Sequence, residues 1–427
     1  MIFRILFLLA LSCGLAKGES QKPNVLLIVI DDMNDSISLL DPKSPIKTPN
    51  LERLAKRGTL FSKAYCISAA CNPSRVATLT GLRPSTSGVY RNNSDWRKAL
   101  PKRKTIMQQF QRAGYAVRGA GKIFHHKLEG AFHDKASFDD FLPMAPQNMP
   151  AKKLNNAPEY GSRNTDWGIW PKDEKDTIDF RTTEYCIRNL KTPPKDKPLF
   201  LACGIFKPHS PFFAPPKYHE DLPNIPKPTR LENDWSDLPS GAQTLMKRTK
   251  WFWRSMSQLE RKTPGSYAAF IEAYAACCRF ADAQVGRLLD ALDNSPIAKN
   301  TIVWFCSDNG GLPRFDPPTT GGLRGFKGSM YEGGLRVPAV IEWPAGIPTS
   351  RITRYPAGAV DMFPTLAEVA GLKKKSMLKP QDGQSLVKLF SKEIGPRKKP
   401  LTFRSRGRLA VIDNDLKMIA QPNGNKT

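Results

Sequence analysis

The sequence has few histidines, few acidic residues and almost no long apolar run. Five histidines among 427 residues argue against a His-rich two-zinc site. The 39 acidic residues are outnumbered by 65 Lys and Arg, which gives a formal net charge of +26. With 40% apolar residues and a mean hydropathy of −0.42, the chain can build a core but is not a polytopic membrane protein.

The N-terminus carries the one apolar run of membrane type. The run Ile5 to Leu11 is followed by the small residues Ala16 and Gly18, a pattern that predicts a signal peptide over residues 1–18. Because the run is too short to span a bilayer, we expect no stable membrane insertion and a periplasmic or secreted protein. An alternative is a lipoprotein anchor at Cys13.

Export places the remaining cysteines in a compartment where disulfides form. They number seven, so at least one thiol is unpaired, modified or bonded to another chain. Adjacent Cys277 and Cys278 lie in a helical pattern, which predicts that at least one of them is a small core residue.

The positive charge has two interpretations. A basic surface can steer polyanions such as sulfated polysaccharides. Alternatively, the lysines, which are spread over the whole chain, form only a solvated surface. Nucleic acid is not expected as a partner, because the chain is predicted to be exported and carries no nucleic-acid-binding motif.

Four short, nearly continuous apolar runs predict strands that are buried on both faces. They are Asn24–Ile30, Tyr115–Ala120, Leu199–Phe206 and Thr301–Cys306. Helical patterns fall between them, over residues 48–58, 105–113 and 266–293. We therefore expect an α/β fold with a large mixed, mainly parallel central sheet flanked by helices.

Composition also suggests how the chain is divided. Segments 143–197 and 208–264 are rich in Pro, Lys, Asp and Asn, and we expect long irregular loops there. After Gly371 the chain becomes Lys-rich, and Arg408–Ala420 predicts one or two strands. We therefore expect an α/β domain over residues 19–372 and a short C-terminal α+β subdomain over 373–427.

Oxygen-bearing side chains follow two of the predicted strands. Asp31 and Asp32 come after the first strand, and Asp308 and Asn309 after the last. Because ligands bind at the carboxyl ends of strands in open α/β sheets, these four side chains should converge. The donor set favours Ca²⁺ or Mg²⁺ over Zn²⁺. Taken singly, an Asp pair at a strand end is more often a helix cap or turn former than a metal site.

Two further strands end in a lysine and a histidine. Lys122 and His125 follow one strand, and His209 follows another, so all three are expected at the same edge of the sheet. The remaining histidines, which we expect in surface loops, are His126, His133 and His219.

The segment Cys71-Asn72-Pro73-Ser74-Arg75 predicts the start of a helix, with Asn72 as the cap and Gly81 as the stop. Cys71 would then lie at a helix N-terminus, which attracts anions. A cysteine there would be an acidified thiolate, and Arg75 would point over the same anion. The alternative is a buried cysteine before a capped helix.

These blocks together resemble the type I sulfatases of the alkaline phosphatase superfamily. Cys71-x-Pro73-Ser74-Arg75 with Gly81 resembles the signature whose cysteine is oxidised to formylglycine by a formylglycine-generating enzyme. Other blocks that resemble those of the family, in family order, are Pro23–Asp32, Thr48–Leu51, Gly121–Lys122, Ser307–Gly310 and Gly325–Pro338. The resemblance implies an alkaline-phosphatase-like fold and a sulfuric ester hydrolase.

The resemblance also implies a metal site. One Ca²⁺ would be held by Asp31, Asp32, Asp308, Asn309 and the formylglycine made from Cys71. A sulfate ester is a poor electrophile surrounded by negative oxygens, so a metal and cationic side chains would offset the charge of the transition state.

Catalytic roles are implied for five further residues. Arg75 and Lys122 would orient the hydrated aldehyde and neutralise the sulfate, while His125 would act on the second hydroxyl of the aldehyde. His209 and Lys327 would contact the sulfate and protonate the departing oxygen. The hydrated aldehyde would supply the oxygen nucleophile and then expel sulfate as the aldehyde re-forms, which a cysteine cannot do.

The resemblance implies hydrolysis of sulfate monoesters, and we expect them on sulfated carbohydrates, with an aryl sulfate as the other candidate substrate. The spacing of Lys122 and His125 and the block Lys207–Phe212 resemble the iduronate-2-sulfatase branch. The block around Lys327 resembles the arylsulfatase branch. The segment Leu409–Ala420 resembles the family's last strands, but the C-terminus is short for the family and looks truncated.

Two alternative functions stay open at this point. One is an inactive, truncated homologue that binds sulfated glycans. The other is a phosphatase or phosphodiesterase of the same superfamily, which would be expected to use Ser or Thr as its nucleophile and two zinc ions. Cys71 in the nucleophile position and the small number of histidines argue against the second alternative.

Overall fold

The computed structural model describes residues 22–125, 133–155, 165–223, 225, 256, 258–311, 323–372, 379–405 and 407–420. The predicted signal peptide, Cys13 and His126 lie outside the described residues. All ten residues predicted for the active site lie within them.

The elements follow one another along the chain as alternating strands and helices. The strands are β1 Asn24–Asp31, β2 Thr59–Phe61, β3 Ala64–Tyr65, β4 Ala116–Gly121, β5 Asp140–Leu142, β6 Trp167–Ile169, β7 Leu199–Pro208, β8 Phe212–Ala214, β9 Thr301–Ser307, β10 Ala339–Glu342, β11 Arg351–Thr353, β12 Ala357–Gly358, β13 Leu401–Ser405, β14 Arg408–Asp413 and β15 Leu416–Ala420. The α-helices are α1 Pro49–Ala55, α2 Cys71–Thr80, α3 Pro84–Ser87, α4 Trp96–Ala99, α5 Ile106–Arg112, α6 Ile178–Lys191, α7 Ser266–Asp293, α8 Glu332–Leu335 and α9 Met362–Val369.

The central sheet has eight strands in the order β11-β2-β10-β9-β1-β7-β4-β5. Strand β1 pairs in parallel with both β7 and β9, and β4 pairs in parallel with β7 and β5. Strand β10 is antiparallel to its two neighbours, β9 and β2. The expected mixed, mainly parallel sheet is therefore confirmed, and all four predicted strands belong to it.

The near-continuous apolar character of β1 follows from burial on both faces. Leu26, Ile28 and Ile30 belong to one apolar cluster, which also contains residues of α1, α6 and α7. Val25, Leu27 and Val29 belong to a second cluster, which contains residues of α2, α5 and α9. Since successive side chains of a strand point to opposite faces, both faces of the sheet are covered by helices.

Helices α5 and α7 match their sequence patterns. Thr105 caps α5, and its hydroxyl and the Gln108 side chain form a reciprocal capping box. Helix α7 has the predicted bounds of residues 266–293. Helix α1 lies within the predicted range 48–58 and begins at Pro49. Thr48 before it does not cap the helix, because its hydroxyl accepts the backbone N–H of Leu39.

Helix α6 corrects one expectation, because it lies inside the segment 143–197 that was expected to be irregular. The Thr177 hydroxyl accepts the backbone N–H of Phe180 and caps the helix. Tyr185, Cys186 and Leu190 then pack into the core. The polar and proline-rich residues on either side hid this 14-residue helix.

The C-terminal segment forms a three-stranded antiparallel sheet, β13-β14-β15. Two of its strands fall within the predicted range Arg408–Ala420, and β13 was not predicted. Phe403 and Ile412 pack with Tyr65 and Val337 of the larger unit. The division of the chain after residue 372 stays a prediction.

The described part of the chain has no helix that is both long and apolar enough to cross a bilayer. All seven cysteines within it are buried and carry free thiols, so the expectation of at least one unpaired thiol holds. Cys277 and Cys278 both belong to α7 and lie in the apolar core, as predicted for small core residues.

Candidate active site

The first part of the site lies where β1 and β9 end side by side. Asp31 closes β1, and Asp32 takes a left-handed backbone conformation with φ of 64°. This turn is held from β9, because the Asp32 backbone N–H donates to Asp308 Oδ1 at 3.2 Å and that of Met33 donates to Ser307 Oγ at 3.0 Å. The carboxylates of the two strand ends thus converge, as the parallel pairing predicts.

Helix α2 presents Cys71 as its first residue, and Gly81 ends it in a left-handed conformation. The helix start and stop are therefore confirmed. Asn72 is not the cap, however, because its side chain donates to the carbonyls of Arg91 at 3.1 Å and Ser94 at 2.9 Å. These contacts bind the loop around residues 91–94 to the N-terminal end of the helix, next to Cys71.

The Cys71 thiol lies in the middle of the charged groups. Its Sγ is 3.4 Å from Asp31 Oδ1 and 3.9 Å from Asp32 Oδ1, and Lys327 Nζ donates to it at 3.0 Å. Burial, and next the Asp31 carboxylate, raise the pKa of the Cys71 thiol well above its usual value, although Lys327 opposes them. The prediction of an acidified thiolate is therefore wrong, because burial outweighs the helix N-terminus.

Three cations accompany the three carboxylates. Arg75 Nε donates to Asp308 Oδ2 at 2.8 Å, and Lys122 Nζ donates to Asp31 Oδ2. Lys327 Nζ donates to both Asp32 oxygens, at 2.6 and 2.8 Å. Each carboxylate therefore has a cation in contact, and the formal charges of the cluster cancel before any ligand binds.

Backbone contacts hold these cations in place. Arg75 Nη1 donates to the Lys122 carbonyl, which ties α2 to the turn after β4. The Lys327 N–H donates to the Gly311 carbonyl at 3.2 Å, and that of Gly328 donates to the Ala69 carbonyl at 2.8 Å. The loop carrying Lys327 is thereby fastened to the start of α2.

The carboxyl groups differ in their affinity for protons. Burial favours the neutral form of Asp31, but Lys122 and the other cations outweigh it and hold the pKa well below its usual range. Burial raises the pKa of Asp308, and the charges of Asp31 and Asp32 add to this effect against Arg75. Three carboxylates are thus crowded together, and a further cation among them would relieve their repulsion.

The two predicted histidines are neutral bases near pH 7. Burial, aided by Lys122, lowers the pKa of His125 to about 2. Burial and Lys122 also lower the pKa of His209 to about 4, against the attraction of Asp32. His209 Nε2 lies 3.8 Å from Asp32 Oδ2, and Nδ1 lies 2.6 Å from the Ser210 carbonyl oxygen.

The other described histidines serve packing. His133 stacks on Phe141 with ring centroids 5.2 Å apart. His219 is half-buried, and burial lowers its pKa. Neither contributes to the site, in line with the sequence-based expectation.

Three of the five predicted metal ligands lie close enough together to share one cation, and His209 lies beside them. Ligand atoms of Asp31, Asp32, Cys71 and His209 all lie within 4.8 Å of one another. Asn309 Nδ2 donates to Asp32 Oδ1 at 2.5 Å, whereas the buried Asn309 Oδ1 has no hydrogen-bond partner among the described residues. A buried amide oxygen without a partner, beside carboxylates, suits Ca²⁺.

One contributor was not predicted from the sequence. The centroid of the Phe206 ring lies 4.8 Å from the centroid of the His209 ring and 4.9 Å from Lys122 Nζ. Phe206 lies near the end of β7 and is buried. The sequence did not indicate this position, because a phenylalanine within an apolar strand is typical of any core residue.

The protein has an α/β fold in which one edge of the central sheet brings together a buried cysteine, three carboxylates and three Lys and Arg side chains. The family model described as Sulfatase matches residues 23–372. The chain belongs to the sulfatase family, and it is therefore a sulfuric ester hydrolase.

Individual relatives agree with this assignment. A protein of Formosa agariphila described as a sulfatase is 31% identical over 417 residues, covering 92% of this chain and 78% of the relative. The iduronate 2-sulfatase of Mus musculus is 30% identical over 405 residues, covering 84% and 70%. A structure solved with its substrate D-glucosamine-2-N,6-O-disulfate has a TM-score of 0.69 at 19% identity, covering 93% of this chain and 88% of that one, and shows the shared fold.

Proposed function

We propose that the protein hydrolyses sulfate monoesters on sulfated carbohydrates, with a formylglycine made from Cys71 as nucleophile and one bound Ca²⁺. The observation that carries the proposal is the position of Cys71 Sγ, which lies within 3.9 Å of Asp31, Asp32 and Lys327 at once. A side chain so placed can meet both a metal and an anion. The high pKa of the thiol argues that the unmodified cysteine is a poor nucleophile.

The residues that would hold the ion are Asp31, Asp32, Asp308, Asn309 and the modified Cys71. Their fit rests on the crowded carboxylates and on the unpartnered Asn309 Oδ1. When bound, Ca²⁺ would offset the negative charge that builds up on the sulfate oxygens. Hydrated formylglycine would supply an oxygen nucleophile whose second hydroxyl allows sulfate to be expelled.

Charge balance explains why the site would attract a sulfate ester. The three carboxylates and three cations cancel formally, so a divalent cation would leave the buried cluster with two positive charges in excess. A sulfate monoester carries one negative charge, and the product sulfate carries two. The anion would therefore enter a positive, water-poor environment, where electrostatic attraction is strong.

Each remaining side chain would have a separate task. Arg75 would orient the nucleophile and the sulfate, because its Nη2 has no hydrogen-bond partner in the described part of the chain; Lys122 would act with it. His125 is neutral and could remove the proton of the second hydroxyl. Lys327 stays charged because Asp32 raises its pKa against the effect of burial, so its ammonium would contact the sulfate. His209 is neutral in this site, and it would have to take up a proton as the anion binds before it could protonate the departing oxygen with Lys327.

A carbohydrate substrate is supported by the relatives. Iduronate 2-sulfatase and the glucosamine disulfate complex both carry sugars in their descriptions. Aryl sulfates would serve as small probes of the same chemistry. Maturation would require a formylglycine-generating enzyme, and the predicted signal peptide over residues 1–18 would direct the protein out of the cytoplasm. We further propose a catalytic domain over 19–372 and a C-terminal subdomain over 373–427.

Mass spectrometry of the tryptic peptide Ala64–Arg75 tests the nucleophile. The protein is produced with and without a co-expressed formylglycine-generating enzyme, and both samples are alkylated before digestion. We expect an aldehyde at Cys71 only in the first sample, whereas Cys66 in the same peptide is alkylated in both and acts as an internal control. The modified protein should hydrolyse 4-nitrophenyl sulfate, and Cys71→Ala should not.

A Cys71 that keeps its thiol beside a competent modifying enzyme would overturn the hydrolytic mechanism. The chain would then be a homologue that binds sulfated glycans without cleaving them. Retained binding of heparin or carrageenan by the unmodified protein, without sulfate release, would favour that alternative.

A further inference from the structure

Strand β7 leaves the regular pairing of the central sheet just before the catalytic edge. It pairs with β1 in unbroken register up to Ile205, and the register resumes only at Pro208. Its pairing with β4 has ended by then. In the part of the chain that the structure describes, Phe206 and Lys207 therefore have no partner residue in either neighbouring strand. Such a bulge takes backbone N–H groups out of the hydrogen-bond ladder of the sheet.

The carboxylate of Asp179 supplies the acceptors that the ladder does not. Asp179 is the second residue of α6 and is 1% exposed. Its Oδ1 accepts the backbone N–H of Phe206 at 2.6 Å, and its Oδ2 accepts that of Lys207 at 2.9 Å. Burial raises the pKa of Asp179 to about 6, although these two hydrogen bonds oppose it. The carboxyl group is therefore ionised above about pH 7, and each of its oxygens serves one N–H group.

The bulge leads directly into the turn that carries His209. The His209 backbone N–H donates to the Phe206 carbonyl at 3.0 Å, and Lys207 Nζ donates to the Pro211 carbonyl. We call residues 206–211 the His209 turn, which is held in shape by these internal contacts. The two bonds from its first residues to Asp179 fix the whole turn to α6.

The placement of the His209 ring depends on this junction. Its Nε2 lies 3.8 Å from Asp32 Oδ2, and its centroid lies 4.8 Å from that of the Phe206 ring. A proton donor must come within about 2.6–3.2 Å of the oxygen that it protonates. A shift of the turn by about 1 Å would therefore cost much of the rate.

We propose that Asp179 is a positioning residue for sulfate ester hydrolysis, which sets the His209 turn so that His209 can protonate the departing oxygen. The inference rests on the proposed function and on the role it gives to His209. It has a consequence for substrates, because a sugar alkoxide must be protonated as it leaves, whereas 4-nitrophenolate is stable without a proton. Loss of Asp179 should therefore harm the sugar substrate more.

The test uses Asp179→Asn in formylglycine-bearing protein. The amide keeps the shape of the carboxylate, but only its oxygen can accept, so one of the two N–H groups loses its partner. The substrates are 4-nitrophenyl sulfate and one sulfated disaccharide of carrageenan, heparin or chondroitin sulfate that the wild type hydrolyses. We expect kcat to fall about 10²-fold for the disaccharide and less than about tenfold for 4-nitrophenyl sulfate.

Asp282→Asn is the matched control for a loss of packing or stability. Asp282 is also a buried carboxylate that accepts two backbone N–H groups, those of Leu51 at 2.9 Å and Asn50 at 3.2 Å. Burial raises its pKa to about 6 as well, but the elements that it joins are α7 and α1. Its substitution should lower the stability to urea and leave the ratio of the two kcat values within about twofold of the wild type.

A double-mutant cycle with His209→Gln shows whether Asp179 acts through His209. Residues that act as one unit are not additive. We expect Asp179→Asn to lower kcat for the disaccharide about 10²-fold in the wild-type background and less than about threefold beside His209→Gln. A general weakening of the fold would lower kcat by the same factor in both backgrounds.

Three outcomes would overturn the inference while leaving sulfate hydrolysis intact. They are an unchanged kcat of Asp179→Asn, an equal loss on both substrates, and an equal loss in both backgrounds. If the wild type hydrolyses no sulfate ester, the proposed function fails, and ¹⁵N NMR of histidine-labelled, unmodified protein then decides about Asp179. The chain has five histidines, and the signals of His209 are those lost in His209→Gln. Ring signals that shift in Asp179→Asn but not in Asp282→Asn support the inference. Unchanged signals, or an equal shift in both variants, overturn it.

Discussion

Replacing Lys327 by Ala should destabilise the calcium-free protein far more than the calcium-loaded one. Lys327 Nζ donates to both oxygens of the buried Asp32 carboxylate, at 2.6 and 2.8 Å. Without this ammonium, Asp32 keeps the Asn309 amide at 2.5 Å and a distant, neutral His209. The variant therefore leaves a buried charge without a cation in contact.

The magnitude follows from the burial of the pair. The Lys327 side chain is 12% exposed and that of Asp32 is 1% exposed. Breaking such a buried pair from one side costs about 3–5 kcal/mol of unfolding free energy. A Ca²⁺ beside Asp32 would supply the missing positive charge. It would also add about 2.7 kcal/mol at a hundred times its dissociation constant through binding to the native state alone.

Urea unfolding in EDTA and in excess calcium provides the assay, on protein with the unmodified Cys71. Lys417→Ala is the matched control, because Lys417 Nζ also holds a carboxylate, that of Glu332, at 2.6 Å, but outside the site and with 19% and 26% exposure. The control should lose about 1 kcal/mol or less, equally in both buffers. In modified protein, Lys327→Ala should also lower kcat by about 10²–10³.

The reasoning is refuted if Lys327→Ala is as stable as the wild type in EDTA. It is equally refuted if the loss of stability is the same with and without calcium. The first result would mean that Asp32 needs no cation, and the second that no ion binds beside it.

Two further predictions concern the supports of the site. Gly204→Ala should lower kcat at least tenfold and destabilise the fold, because an added Cβ would lie 2.3 Å from the Lys122 carbonyl carbon and displace that residue; kinetics on 4-nitrophenyl sulfate with circular dichroism checks this. Asp282 accepts the N–H groups of Leu51 and Asn50, and burial raises its pKa to about 6. Since this folded value exceeds the unfolded one, its contribution to stability is present below about pH 4 and lost by about pH 6, about 3 kcal/mol in all. Asp282→Asn should flatten the dependence of unfolding free energy on pH in that window, and an unchanged slope would contradict the assignment.

The central sheet was predictable because its strands are covered on both faces. A residue such as Leu27 or Ile28 must be apolar whichever face of the sheet it points to. The sequence of β1 is therefore an unbroken run of apolar residues. The order of the strands was not predictable in the same way. Strand β10 enters antiparallel between β9 and β2, and nothing in its four residues specifies those neighbours.

Helix α6 shows that the composition of a segment does not by itself exclude a helix within it. Its core-facing residues, such as Tyr185 and Leu190, have helical spacing, but the proline-rich segments around them dominate any average over the region. The capping residue Thr177 was the local signal that could have located it. β13 was missed because Leu401 and Phe403 are buried by residues that are distant in the sequence, such as Tyr65 and Val337.

By itself, the sequence determined the chemical inventory and its order along the chain. The features that predicted the site are local. They are the acidic residues at strand ends, Cys71 before Pro73 and the glycine at position 81, and each depends only on residues that are close in the sequence. They were enough to predict the α/β fold and which side chains gather at one edge, whereas the hydrolase class was implied by the resemblance of these blocks to the type I sulfatases.

Only the tertiary structure decided how these side chains act on one another. The Cys71 thiol meets Lys327 from 256 positions further along the chain, and Asn309 meets Asp32 across 277 positions. The protonation of Cys71, the unpartnered oxygen of Asn309 and the anchoring of Phe206 by Asp179 all depend on such distant contacts. Burial and electrostatic energy are properties of the packed neighbourhood, which no stretch of consecutive residues contains.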